Sequence, residues 1–241
     1  QHTGSSGSGL EKTLIMGTDP GFKPFEYKQG NEVVGFDVDL AKEIARSMNK
    51  KLKIEDMSFD GLLPALESGQ IDMAVAGMSV TPERAKNALF SEPYYSASQR
   101  IIVKKGSPIR NRYQLTGKKI GVQLGTTGDT LARKIVGANV SQFPTAPSVL
   151  TELNAGGVEA VILDDAPAAQ YTAGFPNLEI LPGELSSEHY AIAIKNNNHD
   201  LLEKINRVLA EMKKDGRYDS LVRKHFGPRA LESMKKKELE S

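Results

Sequence analysis

A strand–helix alternation runs through residues 13–85 and then starts afresh near residue 118. The first set opens with TLIMGT (13–18), an apolar run of buried-strand length. Leu40, Ala41, Ile44, Ala45 and Met48 then recur at helical spacing. KLKIEDM alternates as a strand does, GLLPALESG predicts a short helix stopped by Gly69, and IDMAVAGM predicts another strand. A helix opens at Pro82. This βαβαβα order predicts an α/β doubly wound sheet. The second set reads KKIGVQLG, TGDTLARKIVG, VSQF, APSVLTELNAGG and VEAVILDD. A pattern that restarts predicts two similar lobes, not one continuous sheet.

The chain then gives a late strand, HYAIAIKNN, and a helix with Leu201, Leu202, Ile205, Val208, Leu209 and Met212 on one stripe. Gly216 closes that helix and RYDSLVRKHFG predicts a last one. A return of the chain to the first lobe makes residues near 95–102 and 188–194 the two crossing strands. The expected organisation is lobe 1 from 11–98 with 195–229, lobe 2 from 99–194, and a charged tail over 230–241. Residues 1–10 read as an expression-vector remnant, behind which a natural signal peptide would have been removed.

Composition narrows the function. The 241 residues suffice for two lobes of about 100 residues each. A net charge of +1 gives no ground for expecting nucleic acid. No apolar run reaches the roughly 18 residues of a membrane span. There is no cysteine, and His2, His189, His199 and His225 are not spaced as metal ligands, so no metal and no cofactor are expected. GVQLGTTGD lacks the Gly-Lys-Ser/Thr of a phosphate loop, and GMSVT lacks the second glycine of a nucleophile elbow.

Open α/β sheets bind ligands beyond the carboxyl ends of their strands. Those ends are Asp19, followed by PGFKPFEY; Gly77-Met78-Ser79; Gly125-Thr126-Thr127; and Asp164-Asp165. The segment GMSVTPER carries an oddity: Thr81 caps a helix and Pro82 opens it, yet the third helical position is Arg84 where a capping box wants Glu or Gln. A cation there opposes the helix dipole by about 0.3–1 kcal/mol. Its planar fork suits a carboxylate. An anion clamp beside Asp19, Asp164 and Asp165 suits a zwitterion, an α-amino acid. Each residue also has an ordinary reading: a surface arginine, helix caps at Thr126, Thr127 and Asp164, and core rings at Phe22 and Phe59.

On GTDPGFKPFEY, VVGFDVDLAKEIA, FDGLLPALESGQIDMAVAGMSVTPERAK, FSEPYY, IGVQLGTTGD and HYAIAIKNN the chain resembles the polar amino-acid-binding proteins of bacterial ABC importers. The resemblance covers about residues 13–227. It implies the type II periplasmic-binding-protein fold, two Rossmann-like lobes joined by a two-strand hinge that closes on its ligand. It implies that Arg84 pairs with the ligand α-carboxylate, helped by the N–H groups of Ser79 and Thr127. The Gly77 carbonyl, the Ser79 hydroxyl and Asp165 would hold the α-ammonium. Phe22 and Phe59 would flank the side chain, Asp19, Gln123 and Asp164 would line its end, and Ala76, Met78 and Thr126 would complete the walls. Glutamine-binding relatives carry lysine and histidine where this chain has Gln123 and Asp164. Two carboxylates without a cation favour a basic side chain, so the expected ligand is L-arginine, then lysine or ornithine, then glutamine. The resemblance also implies a monomer outside the cytoplasm, periplasmic, extracellular or lipid-anchored, with a membrane ABC permease as partner. The alternatives are a receptor module of the same fold or an enzyme similar to cyclohexadienyl dehydratases. That enzyme's general-acid glutamate is replaced here by Ala168, while Glu26 remains a carboxyl near the mouth.

Overall fold

The structure, a computed structural model, describes residues 12–240. In chain order the first lobe contributes β1 (Thr13–Thr18), β2 (Tyr27–Gln29), β3 (Glu32–Val34), α1 (Phe36–Ser47), β4 (Lys51–Asp56), α2 (Leu62–Ser68), β5 (Met73–Ala74), α3 (Pro82–Ala85) and β6 (Ala88–Phe90). The chain crosses through β7 (Tyr95–Ala97) into β8 (Gln99–Lys104), β9 (Lys119–Gln123), α4 (Thr127–Arg133), β10 (Asn139–Phe143), α5 (Ala146–Ala155), β11 (Ala160–Asp164), α6 (Asp165–Thr172) and β12 (Leu178–Ile180). It returns through β13 (Glu188–Tyr190) to β14 (Ala193–Lys195), α7 (His199–Asp215), α8 (Arg217–Phe226) and α9 (Pro228–Glu240).

Two five-stranded sheets result, with orders β4-β1-β5-β14-β6 and β10-β9-β11-β8-β12. In each, the strands of the βα units run parallel and the strands next to the crossing run antiparallel. The crossing is itself a small antiparallel pair, with Glu188 opposite Ala97 and Tyr190 opposite Tyr95. Strand pairing puts β14 in the first sheet, so the boundary expected at residues 194/195 falls inside a strand and the return comes before Ala193. The stretch 230–241, expected as a charged tail, is helical through Glu240, with Leu231 buried and Met234 against the core. Residues 1–10 lie outside the described residues.

The apolar stripes account for the packing. Leu40, Ala41 and Ile44 of α1 meet Ile205, Leu209 and Met212 of α7 in one buried cluster. Each fully buried aliphatic side chain contributes about 1.5–3 kcal/mol. Ile101, Ile120, Val122, Ala160 and Ile162 form a second cluster on the other sheet. Helix ends follow local chemistry: Gly69, Gly156 and Gly216 take left-handed φ values of 81°, 87° and 88°.

Candidate functional site

The strands of both sheets end on a small cavity between the lobes. The first lobe supplies Asp19, Phe22, Glu26, Phe59, Ala76, Gly77, Ser79 and Arg84; the second supplies Gln123, Thr126, Thr127 and Asp164.

Local geometry fixes the first wall. Asp19 Oδ2 accepts the Phe59 N–H at 3.0 Å, so the carboxylate leaving β1 anchors the ring-bearing turn. Gly77 has φ 55°, and a Cβ there would stand 2.7 Å from the Phe22 ring, so this turn excludes any side chain. Asp37 Oδ2 accepts the Gly77 N–H at 2.8 Å and ties the same turn to α1. Thr81 Oγ1 accepts the Arg84 N–H at 3.1 Å, the cap expected of Thr-Pro.

The Arg84 guanidinium bridges the lobes. Nη1 donates to the Ser79 carbonyl at 2.7 Å, and Nη2 donates to the Gly125 carbonyl of the second lobe at 2.9 Å. Its plane lies 5.3 Å from the Phe59 ring centroid, within cation–π range. Two of the five guanidinium N–H groups are thus engaged with carbonyls. A second lobe-to-lobe bond runs from the Lys23 N–H to the Tyr171 hydroxyl at 2.9 Å.

On the second wall, Thr126 caps α4 by accepting the Asp129 N–H at 3.3 Å and donates to the Gln123 carbonyl at 2.8 Å. Asp164, at the end of β11, accepts from Gln99 Nε2 at 2.7 Å and from the Tyr190 hydroxyl. Gln99 begins β8 and Tyr190 ends β13, so a strand of the second sheet and a crossing strand hold this carboxylate.

The family of bacterial extracellular solute-binding proteins, family 3, matches residues 14–228. The chain is a member of that family. It is 36% identical to the arginine-binding extracellular protein ArtP of Bacillus subtilis, over 92% of this chain and 91% of that protein. It is 35% identical to a probable histidine-binding protein of Campylobacter jejuni, over 93% and 89% respectively. Among solved structures, an ancestral arginine-binding protein bound to arginine is similar with a TM-score of 0.86 at 46% identity, over 90% of this chain and 99% of that one. The two-lobed α/β architecture is that of these neighbours.

In this solute-binding protein, eleven expected residues meet at the cavity: Asp19, Phe22, Phe59, Ala76, Gly77, Ser79, Arg84, Gln123, Thr126, Thr127 and Asp164. Two do not. Met78 is buried in the apolar cluster with Leu62, Leu66, Ala74 and Ala76 and does not reach the cavity lining. Asp165 begins α6 and turns its Oδ1 to the Ser98 N–H at 3.4 Å, while its neighbour Asp164 faces the cavity. Glu26 joins the lining, deeper than its expected place near the mouth: it is 1% exposed between Phe25 and Tyr27. Glu188, absent from the sequence reading, lies behind the wall and accepts hydrogen bonds from both Ser79 and Thr127.

The carboxyls are strongly coupled to burial. Burial, and then Glu188, push Asp164 up to about 7, against the stabilising Tyr190 and Gln99 bonds. Asp19 rises to about 6, mainly through burial. Glu26 rises well above the carboxylate range through burial and its neighbour Asp37. Burial pulls Arg84 down, opposed by Asp164 and Glu188. Asp164 is therefore the shared neighbour of Arg84 and Glu26.

Proposed function

We propose that the cleft binds an L-α-amino acid with a cationic side chain, arginine before lysine, ornithine or glutamine, and that the closed protein hands it to a membrane ABC permease outside the cytoplasm. One observation carries this reading. Glu26 Oε1 and Oε2 and Gln123 Oε1 are buried acceptors without a hydrogen-bond partner, on residues that line one cavity. A buried acceptor left unpaired costs about 1–3 kcal/mol. A guanidinium brings five donors in a rigid fork and can satisfy all three. An ammonium brings a single point of charge, and an amide brings two donors and no charge.

Charge supports the same ligand. Three carboxyls line the cavity against one cation, Arg84. Arginine adds one negative and two positive groups. In this reading Arg84 takes the α-carboxylate, the Gly77 carbonyl and Asp164 take the α-ammonium, and Glu26, Asp19 and Gln123 take the guanidinium. Asp164 replaces Asp165 in the ammonium role because it is the member of the pair that lines the cavity. Relatives named for arginine and histidine support a basic ligand.

The protein is read as a carrier and not as an enzyme. At the position of the dehydratase acid, Ala168 is buried and bears no titratable group. Calorimetric titration of refolded, ligand-stripped protein against the twenty amino acids tests the proposal: L-arginine binds most tightly. Glutamine outranking arginine overturns it, and aromatic product formed from prephenate or arogenate overturns the carrier reading.

A further inference from the structure

Glu188 opens β13 and is half-buried outside the cavity proper. Its Oε1 accepts from Ser79 Oγ at 2.6 Å and from Thr127 Oγ1 at 2.5 Å. Its Oε2 accepts from Ser186 Oγ. Ser79 follows β5 in the first lobe and Thr127 begins α4 in the second, so one carboxylate oxygen holds a hydroxyl from each lobe. Gln99 Nε2 donates to the same Thr127 hydroxyl at 3.0 Å and to Asp164 at 2.7 Å, which extends the network to the cavity wall.

The strand bearing Glu188 is fixed to the first lobe by its backbone. The Val80 N–H donates to the His189 carbonyl at 2.9 Å, and the Ala191 N–H to the Met78 carbonyl at 3.1 Å. Glu188 also has ties to the second lobe, since Gln99 Nε2 donates to Oε1 at 3.5 Å and the Gln99 N–H donates to Ser186 Oγ at 3.0 Å; the two hydroxyls themselves, Ser79 and Thr127, belong to different lobes. An O–H···O bond is lost once the oxygens part by much more than about 3 Å. The two bonds to Oε1 coexist only when the lobes meet. Hydrogen bonds to a charged acceptor are about twice as strong as neutral ones. The nearby Arg84 offers this carboxylate a counter-charge in the same closed arrangement.

We propose that Glu188 is a positioning residue, a carboxylate latch that joins the lobes through Ser79 and Thr127 and so favours the closed cleft. The residue touches no part of the ligand in the reading above, on which the choice of arginine as probe rests. The chain has no cysteine, so spin labels at Gln29→Cys and Gln170→Cys report the lobe separation without background. Distances and L-arginine dissociation rates are compared for wild type, Glu188→Ala and Glu188→Gln. Loss of a charge-assisted bond predicts that Glu188→Ala dissociates arginine about tenfold faster or more. It also moves the distance distribution toward the open form. Glu188→Gln, which keeps an acceptor oxygen without the charge, falls between. Thr127→Val removes one arm and reproduces the distance shift, and combining it with Glu188→Ala adds nothing further. Unchanged distances and rates in Glu188→Ala overturn the latch, as does a loss of thermal stability with the distances unmoved. If wild type fails to bind arginine, the ligand reading falls alone, because the distances without amino acid still decide the latch.

Discussion

Arg84 reaches across the cleft and donates from Nη2 to the Gly125 carbonyl at 2.9 Å. The residue that opposes the helix dipole at the start of α3 is thereby a lobe-to-lobe contact as well as a cation in the cavity wall. Its cost at the helix start is small, and its position follows from the Thr81-Pro82 cap that begins the turn.

Replacing Arg84 removes the only cation among the described residues that line the cavity. Arg84→Ala is expected to weaken L-arginine binding by about 2–5 kcal/mol, the cost of leaving a desolvated charge without its partner. Arg84→Lys is expected to recover little, because a point charge cannot hold a carboxylate and the Gly125 carbonyl in one plane. Titration calorimetry measures both, and normal binding by Arg84→Ala removes the clamp from the account.

Glu26→Gln separates charge from shape at the side-chain end. The amide keeps the volume and loses the capacity to ionise against a bound cation. L-Arginine affinity is expected to fall by at least about 1.4 kcal/mol, a factor of ten, while glutamine affinity changes less. The ratio of the two dissociation constants is the readout. A constant ratio means that Glu26 does not read the guanidinium.

Binding should depend on pH through Asp164 and Asp19, held near 7 and 6. Below those values the carboxyls are protonated and offer a cation nothing. A bound ammonium or guanidinium favours the ionised forms, so binding near pH 6 releases protons. L-Arginine affinity is expected to fall from pH 8 to pH 5. Calorimetry in buffers of different ionisation enthalpy should show proton release near pH 6 and little at pH 9.

The same groups set the opposite trend for the ligand-stripped fold. A carboxyl raised from 3.8 to about 7 binds more protons folded than unfolded between those values. Stability then decreases as pH rises through that window. Asp19, Glu26 and Asp37 act in the same direction. Asp39, lowered to about 2 by His225 and Lys224, works against acid and matters only below about pH 4. Thermal unfolding of stripped protein is expected at a higher temperature at pH 5.5 than at pH 8, with saturating arginine reversing the order. A stripped protein most stable at pH 8 contradicts the burial of these acids.

Much of the molecule was legible in local pattern. The spacing of Leu40, Ala41, Ile44 and Ala45 marked the buried face of α1. The Thr81-Pro82 pair marked the start of α3, and Gly69 and Gly216 marked helix ends. The restart near residue 118 marked a second sheet, and the crossing strands were placed close to β7 and β13. Strand ends then gave most of the cavity wall, because an α/β sheet delivers its ligands there.

The unread part shares one physical cause. Asp164 and Asp165 are chemically identical neighbours, and only the last step of β11 against β8 turns one inward and the other to Ser98. Met78 and Ala76 flank Gly77 and share one apolar cluster, yet only Ala76 also lines the cavity. Glu26 sits between two aromatic residues, and nothing local distinguishes it from a surface glutamate. Glu188 and Gln99 gain their partners across separations of 109 and 65 residues. The sequence by itself determined the elements, their order and the ends on which ligand chemistry collects, since short-range backbone and burial preferences decide those. Only the tertiary structure decided which acids are buried against each other and which hydroxyls share a carboxylate, because those energies depend on desolvation and on two lobes meeting through a crossing far away in the chain.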